Sequence, residues 1–254
     1  MTTLLLVRMS SLGDIVHTFP AVTDIRRERP QAVIHWVVEE AYVSLAGLHP
    51  AVDVVIPVAI RRWRRRLLAP ATWREIGTAR TALARTDYDL ILDTQGLLKS
   101  LALAQLARRA TRRRGQASVL HGFGPGTIRE RLAARGYDVT HEFGAADHKI
   151  TRYRAVAAQA LGYAIRPEID FGLTAPARAG FAPNKAYAVL LHATARAAKL
   201  WTEFAWEALA KALAAKGIVC VLPWGDAAEA ARARRIAAAA PPAVVAPRMT
   251  IQQA

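Results

Sequence analysis

The 254 residues carry 35 lysines and arginines against 20 aspartates and glutamates, a formal net charge of +15, with 53% hydrophobic and 22% charged residues. That composition excludes a disordered or fibrous chain and provides apolar surface for two modest domains. The one cysteine, Cys220, excludes an intramolecular disulfide and a cysteine-rich zinc site; the apolar runs fall short of the roughly 18 residues of a membrane span, and the N-terminus does not read as a signal peptide.

Short apolar runs alternate with longer helical patterns, which predicts an α/β fold with parallel sheets. Residues 4–7 predict a strand, followed by a loop over 9–14 and a helix to about Arg29 that Pro20 must kink or restart. Further strands are expected at 33–38, 52–56 and 90–93, and helices at 72–86 and 97–109. Residues 119–137 are rich in glycine and read as irregular, with a short helix near 127–134. A helix over 148–161 ends at Gly162, and the stretch after it, with three prolines and two glycines over 163–184, marks an interdomain boundary. The expected division is 1–165, a linker at 166–184, and 185–254 with strands at 187–192, 218–222 and 244–245 and helices at 203–215 and 227–239. The second domain is short for a doubly wound unit, and a helix is expected to begin at 249–254, so it reads as incomplete.

The excess charge is arginine, clustered at 61–66 and at 108–114. Guanidinium forks suit phosphate and carboxylate, so the partner could be nucleic acid, anionic lipid or a phosphorylated small substrate; a solvated basic face is the plain alternative.

In open α/β sheets ligands sit at the carboxyl ends of the strands. The loop Ser10-Ser11-Leu12-Gly13-Asp14 has neither the three-glycine dinucleotide fingerprint nor the ending of a phosphate loop. It places a carboxylate where those families hold phosphate, so Asp14 is either a helix cap or a general base. In the loop over 192–202, Thr202 can cap the following helix, and Lys199 then lies near the positive end of a helix dipole, which is favourable if the two share an anion. A solvated lysine is the bland alternative. Asp226 and Glu229 have capping-box spacing, which explains Glu229 without a ligand although both roles can hold. Lys99, in the loop and helix start after Asp93, is a weak anion candidate. His141, Glu142, Asp147 and His148 are metal-ligand types at no standard spacing, so surface roles are expected. Cys220, mid-strand among apolar residues, reads as core, and there is no Gly-x-Ser-x-Gly elbow.

Taken together, several runs resemble the bacterial lipopolysaccharide heptosyltransferases of glycosyltransferase family 9. They are Ser10-Ser11-Leu12-Gly13-Asp14-Ile15-Val16-His17-Thr18, Trp36-Val37-Val38-Glu39-Glu40, the stretch from Val55 to Arg64, the stretch from Asp93 to Ser100, Leu191-His192-Ala193-Thr194 with Lys199 and Trp201, and Leu222-Pro223-Trp224-Gly225. The resemblance implies a GT-B fold, two Rossmann-like domains facing across a cleft, and transfer of heptose from ADP-L-glycero-D-manno-heptose to Kdo of the inner core. By position, Asp14 resembles the general base; Thr194 and Lys199 resemble diphosphate contacts, Glu229 a ribose contact and Met249 a residue near adenine; Arg61, Arg64, Lys99 and Arg129 resemble residues facing the anionic acceptor. Ala195 stands where relatives carry a second hydroxyl, and the family's Asp-Thr-Gly-x-x-His segment would fall beyond Ala254.

The implied reaction is an inverting single displacement in which one base suffices and cationic and helix-dipole stabilisation take the place of an obligatory metal; no cofactor is expected. The implied partners are ADP-heptose, Kdo2-lipid A and the anionic inner face of the inner membrane, with a cytoplasmic, peripheral location and no nucleic acid. Two alternatives stand beside it: a catalytically incomplete fragment of such an enzyme, and a basic nucleic-acid-binding module, which calls for aromatics interleaved with the charges where only Trp63 offers itself.

Overall fold

Residues 4–7 are apolar without alternation, and strand β1 (Thr3–Val7) buries all four of them, as a strand covered on both faces requires. It lies inside a six-stranded parallel sheet with β2 (Val33–Glu39), β3 (Val54–Val58), β4 (Leu90–Asp93), β5 (Val119–Phe123) and β6 (Val139–His141). The order is β3-β2-β1-β4-β5-β6, so the winding reverses between β1 and β4, and the loops leaving those two strands border the crevice where ligands bind in such sheets. The structure, a computed structural model, describes every residue except Met1, Ala145, 175–179, 195–196, 251–252 and Ala254.

The helices of this first unit are α1 (Leu12–Glu28), α2 (Val43–Ala46), α3 (Ile60–Trp63), α4 (Pro70–Ala84), α5 (Leu98–Arg113) and α6 (Lys149–Leu161). Helix α1 runs through Pro20 without restarting: its buried stripe of Ile15, Phe19, Val22 and Ile25 outweighs the one backbone hydrogen bond a proline forfeits. It also begins two residues before Asp14, so the expected loop is shorter. Helix α6 packs on α1 around a buried ion pair, Arg154 Nε to Asp24 Oδ2 at 2.6 Å, with each side chain 5% exposed. Gly162 closes α6 with φ of 67°, the left-handed cap its lack of a Cβ allows.

Two strands were not expected. Residues 119–137 hold β5 followed by a 3-10 turn (Arg131–Gly136) in place of the short helix, and β6 follows. Their apolar pattern is broken by His121 and His141, which pair across the strands at 3.0 Å, and by Gly122, where the Tyr137 ring occupies the space of a side chain. Strand β3 sits two residues later than expected, and the strand expected over 187–192 is only three residues long.

The chain divides between Thr174 and Ala175, within the stretch expected to be a linker at 166–184. Residues 166–172 belong to the first unit: Arg166 pairs with Glu28 at 3.1 Å, the Arg166 carbonyl accepts from Arg154, and Gly172 (φ 64°) lies so close to His49 and Thr23 that a Cβ would meet both at 2.5 Å. The second unit holds a parallel sheet β7 (Tyr187–Val189), β8 (Val219–Leu222) and β9 (Val244–Val245), with α7 (Glu203–Ala215) and α8 (Ala227–Ala239). Its core is Leu190, Ala210, Cys220, Leu222, Ala233 and Ile236, so Cys220 is the packing residue expected, and burial pushes its thiol pKa up.

Candidate active site

Asp14 is the third residue of α1, and half of its chemistry is structural: its Oδ2 accepts from the Ser11 N–H and hydroxyl, both at 3.2 Å, as a capping residue does. The other oxygen, Oδ1, accepts from Lys149 Nζ at 2.6 Å, with the Tyr153 hydroxyl at 3.4 Å and the Arg8 guanidinium at 3.6 Å. Burial favours the protonated acid, but the Lys149 hydrogen bond, the Arg8 charge and the Ser11 N–H outweigh it and hold the carboxyl below its usual pKa. Asp14 is therefore ionised at neutral pH.

Arg8 and Lys149 are neighbours of Asp14 that the sequence did not disclose. Arg8 follows β1 directly, is 5% exposed and lies 4.4 Å over the Tyr153 ring. Burial brings its pKa down to about 10, against the pull of Asp14 and Asp93, so it stays cationic. The only hint was an arginine placed directly after four buried apolar residues. The β1 and β4 loops are tied together by Gln95, whose Oε1 accepts from the N–H groups of Met9 and Ser10 at 2.9 and 3.2 Å. Asp93, at the end of β4 and fully buried, accepts from Gln95 N–H, Gly96 N–H and the Tyr137 hydroxyl, while burial raises its pKa.

The acceptor-side candidates gather at the same ends of the strands. The buried Glu39, which closes β2, accepts the Arg61 N–H at 3.3 Å; burial raises its pKa, and the Arg61 and Lys99 charges oppose that rise. Arg61 and Lys99 are thus neighbours of one carboxylate, an arrangement that sequence reasoning missed. Arg64 is exposed one turn beyond Ile60. Arg129 is exposed in the loop whose Glu130 accepts the Leu98 N–H at 2.7 Å, which brings that loop to the start of α5 beside Lys99. The rest of the first cluster divides. Arg62 is bound to Glu40 and Glu75, and Trp63 is 8% exposed with its indole N–H on Glu75 at 2.7 Å, so Trp63 offers no stacking face.

The second arginine cluster is largely structural. Arg108 and Arg112 pair with Asp138, and Arg114 holds Asp87 at 2.5 Å and the carbonyls of Ala84 and Thr86. The metal-type residues are also spoken for. His141 joins His121 and Gln159, Glu142 accepts from Gly126 and Thr127, Asp147 accepts from Gly144 N–H, and His148 caps α6; among the described residues no three such groups converge on a metal site.

In the second unit, Thr194 and Lys199 are exposed and line a pocket of about 260 Å³ with Leu191, His192, Trp201 and Trp206. Thr202 caps α7 by accepting the Ala205 N–H at 3.2 Å, so the positive end of that helix follows the loop. Inside the pocket lining, His192 Nε2 donates to the Pro223 carbonyl at 3.0 Å, while His192 Nδ1 and Trp206 Nε1 are buried without a partner among the described residues. These are polar atoms a ligand could satisfy. Glu229 departs from its expected capping box: Asp226 accepts the Glu229 N–H at 2.9 Å, but the Glu229 carboxylate reaches past the cap to the Gly225 N–H at 2.6 Å. Met249 is half-buried after β9, and Ala195 lies outside the described residues.

A carboxylate at the switch point of one Rossmann-ordered sheet, and a cationic loop before a capped helix on a second, belong to the GT-B class of glycosyltransferases. The sequence profile described as glycosyltransferase family 9 (heptosyltransferase) matches residues 76–254. The lipopolysaccharide heptosyltransferase 1 of Pseudomonas aeruginosa is 41% identical over 251 residues, covering 97% of this chain and 68% of that protein. The solved Escherichia coli heptosyltransferase WaaC with ADP superposes with a TM-score of 0.86 at 37% identity, covering 99% of this chain and 77% of that one. The same enzyme with ADP-2-deoxy-2-fluoro heptose gives the same TM-score. The chain belongs to glycosyltransferase family 9, the heptosyltransferases.

Proposed function

We propose that this glycosyltransferase moves heptose from ADP-heptose onto a hydroxyl of the Kdo of Kdo2-lipid A, with Asp14 as the general base. The observation that carries the reading is the ionised Asp14 at the switch point, with one oxygen fixed by the α1 cap and the other met by side chains. In the step, the acceptor O–H bond breaks and its proton passes to Asp14. The acceptor oxygen then bonds to the anomeric carbon, and the electron pair of the anomeric C–O bond leaves with ADP. The diphosphate is a stable leaving anion, so Lys199 and the α7 N-terminus would supply the countercharge, the Thr194 hydroxyl would donate a hydrogen bond, and no metal is required in this scheme. Glu229 would meet the ribose and Met249 the adenine, as in the family resemblance. Glu229 would have to share its carboxylate with the Gly225 N–H.

Arg61, Arg64, Lys99 and Arg129 would hold the acid groups of the acceptor, and the exposed Arg64, Arg65 and Arg66 would face the anionic inner leaflet. Beside them Leu68 is 99% exposed and Trp73 is held by its indole N–H on the Leu67 carbonyl at 2.8 Å, an apolar and interfacial pair suited to a bilayer surface. No described helix is long and apolar enough to cross a membrane; the association proposed here is peripheral, on the cytoplasmic face, and rests on these exposed cationic and apolar side chains.

The test is incubation with ADP-heptose and Kdo2-lipid A, reading a one-heptose gain in mass and release of ADP. Replacing Arg61 and Arg64 by Ala should raise the acceptor KM about tenfold with little effect on the donor, and added salt should mimic it. Salt-sensitive binding to random DNA with no response to the acceptor would favour a nucleic-acid module.

A further inference from the structure

The two oxygens of Asp14 differ in how firmly their partners are held. Those of Oδ2, the Ser11 N–H and hydroxyl, are part of the helix cap. Oδ1 faces two cations of opposite character. Arg8 is 6% exposed in its side chain and stacked on Tyr153, so it is a fixture at 3.6 Å. Lys149 is 57% exposed, carries its ammonium on a four-carbon stem, and holds Oδ1 at 2.6 Å. The oxygen best placed to take a proton is therefore covered by the one cation that can move away.

Resting on the reading of Asp14 as the base, we propose that Lys149 is a displaceable gate: it covers Oδ1 until the acceptor arrives, then transfers to the acceptor's carboxylate and leaves Oδ1 to the acceptor hydroxyl. Lys149 acts through Asp14, so it is a positioning residue. The exchange is cheap in both directions. The pair is open to water on its lysine side, with the Lys149 side chain 57% exposed against 16% for Asp14, so breaking it costs about tenfold in affinity, and a sugar acid offers the ammonium the same charge it gives up.

The timing is also favourable. While Lys149 is on Asp14 the carboxylate is a weak base; its departure raises the proton affinity of Asp14 when a proton must be taken. Arg8 stays, fixed from the end of β1 and itself drawn by Asp93. Of the other groups facing this point, His17 lies on the next turn of α1 and meets the His148 ring at 5.2 Å. Burial, the His148 charge and the nearby Lys149 and Arg8 hold His17 below its usual pKa against the pull of Asp14, so it adds no third cation at neutral pH. The Tyr153 hydroxyl completes the set at 3.4 Å.

The test titrates the Asp14 carboxyl by NMR in protein labelled with carboxyl-13C aspartate, with Asp14→Asn identifying the resonance. In the free protein, Lys149→Met should move the titration up by about one unit, and Lys149→Arg should leave it near the parent value. With a soluble Kdo glycoside at saturation, parent and Lys149→Met should titrate together. An analogue with the Kdo carboxyl reduced to an alcohol should leave them apart. Transfer kinetics should show the same exchange: Lys149→Met shifts the acid limb of kcat/KM, which reports the free enzyme, and not that of kcat.

A difference that persists with Kdo bound overturns the gate and makes the contact a standing ion pair. No difference in the free protein overturns it too. Release by the reduced analogue overturns the carboxylate as the trigger. Full transfer by Asp14→Asn would instead strike the base assignment, whatever the titration shows.

Discussion

The two units hold their candidate sites by different means. In the first, Asp14 is fixed by a cap and flanked by the buried Arg8, which lies over Tyr153, with Lys149 its one exposed charged partner among the described residues; Asp93 is buried under three donors, and farther along α1 Asp24 is buried with Arg154. In the second, Thr194 and Lys199 are exposed on a loop, and among the described residues the one ion pair of the unit, Arg235 to Glu203, is at the surface with side chains 58% and 35% exposed. A buried charge network fixes geometry at a cost in desolvation, and an exposed loop gains its order from its ligand. The first site should therefore respond sharply to single substitutions, and the second weakly and in a salt-dependent way.

The most demanding check is at the base itself. Asp14→Ala should lower turnover by about 10²–10⁴ while ADP affinity, measured by calorimetry, stays nearly unchanged. Equal losses in turnover and ADP affinity would merge the two sites into one and end the contrast. Next in size is the brace behind it. Arg154→Met leaves Asp24 as a buried carboxylate without its partner, and urea unfolding of the first unit should lose about 3–5 kcal/mol. A loss under about 1 kcal/mol would mean that water reaches Asp24 and the brace is weaker than its burial suggests.

A third check uses pH. His141 Nδ1 meets Gln159 Oε1, and its Nε2 lies 3.0 Å from His121 Nδ1, so the two rings sit side by side between β5 and β6. Burial, then the His141 charge, hold the His121 pKa down to about 4 against the pull of Asp138. The unfolded chain takes up a proton near pH 6.5 that the folded chain refuses until about pH 4, so stability is present above 6.5 and is lost as pH falls through that window. His121→Gln should remove up to about 2 kcal/mol of the drop between pH 7 and pH 5. Burial likewise holds His49 near 4, so part of the slope should remain.

How much of this could be read in the sequence follows the same division. The strands β1 and β4 were legible because continuous apolar runs mean burial on both faces, and α7 and α8 were legible because Thr202 and Asp226 cap them locally. Strands β5 and β6 were not, since a paired histidine and a glycine filled by a distant tyrosine break the pattern that marks a strand. At the site, Asp14 was legible by position, and both of its possible roles are physically compatible, one on each oxygen. Its partner Lys149 is 135 residues away, and the link between Arg61, Lys99 and Glu39 likewise joins separate strand ends. Local spacing does not encode such meetings; they follow from the strand order.

The smallest expected effects are at the donor loop, and they decide what holds an anion there. The exposed Lys199 ammonium and the α7 N-terminus both favour a diphosphate, and they can be separated because only one is a full charge. Lys199→Ala should weaken ADP binding about tenfold at low salt and by no more than about threefold at ~0.5 M salt, since an exposed charge is screened within a few ångströms there. Thr202→Ala removes the acceptor of the Ala205 N–H and should cost the helix about 1 kcal/mol, yet it leaves that N–H free to meet a phosphate. Its ADP affinity should therefore fall no more than about twofold, with little salt dependence. If Thr202→Ala instead costs as much affinity as Lys199→Ala, the capped helix end holds the anion, and the second site is braced by its secondary structure much as the first is braced by its charges.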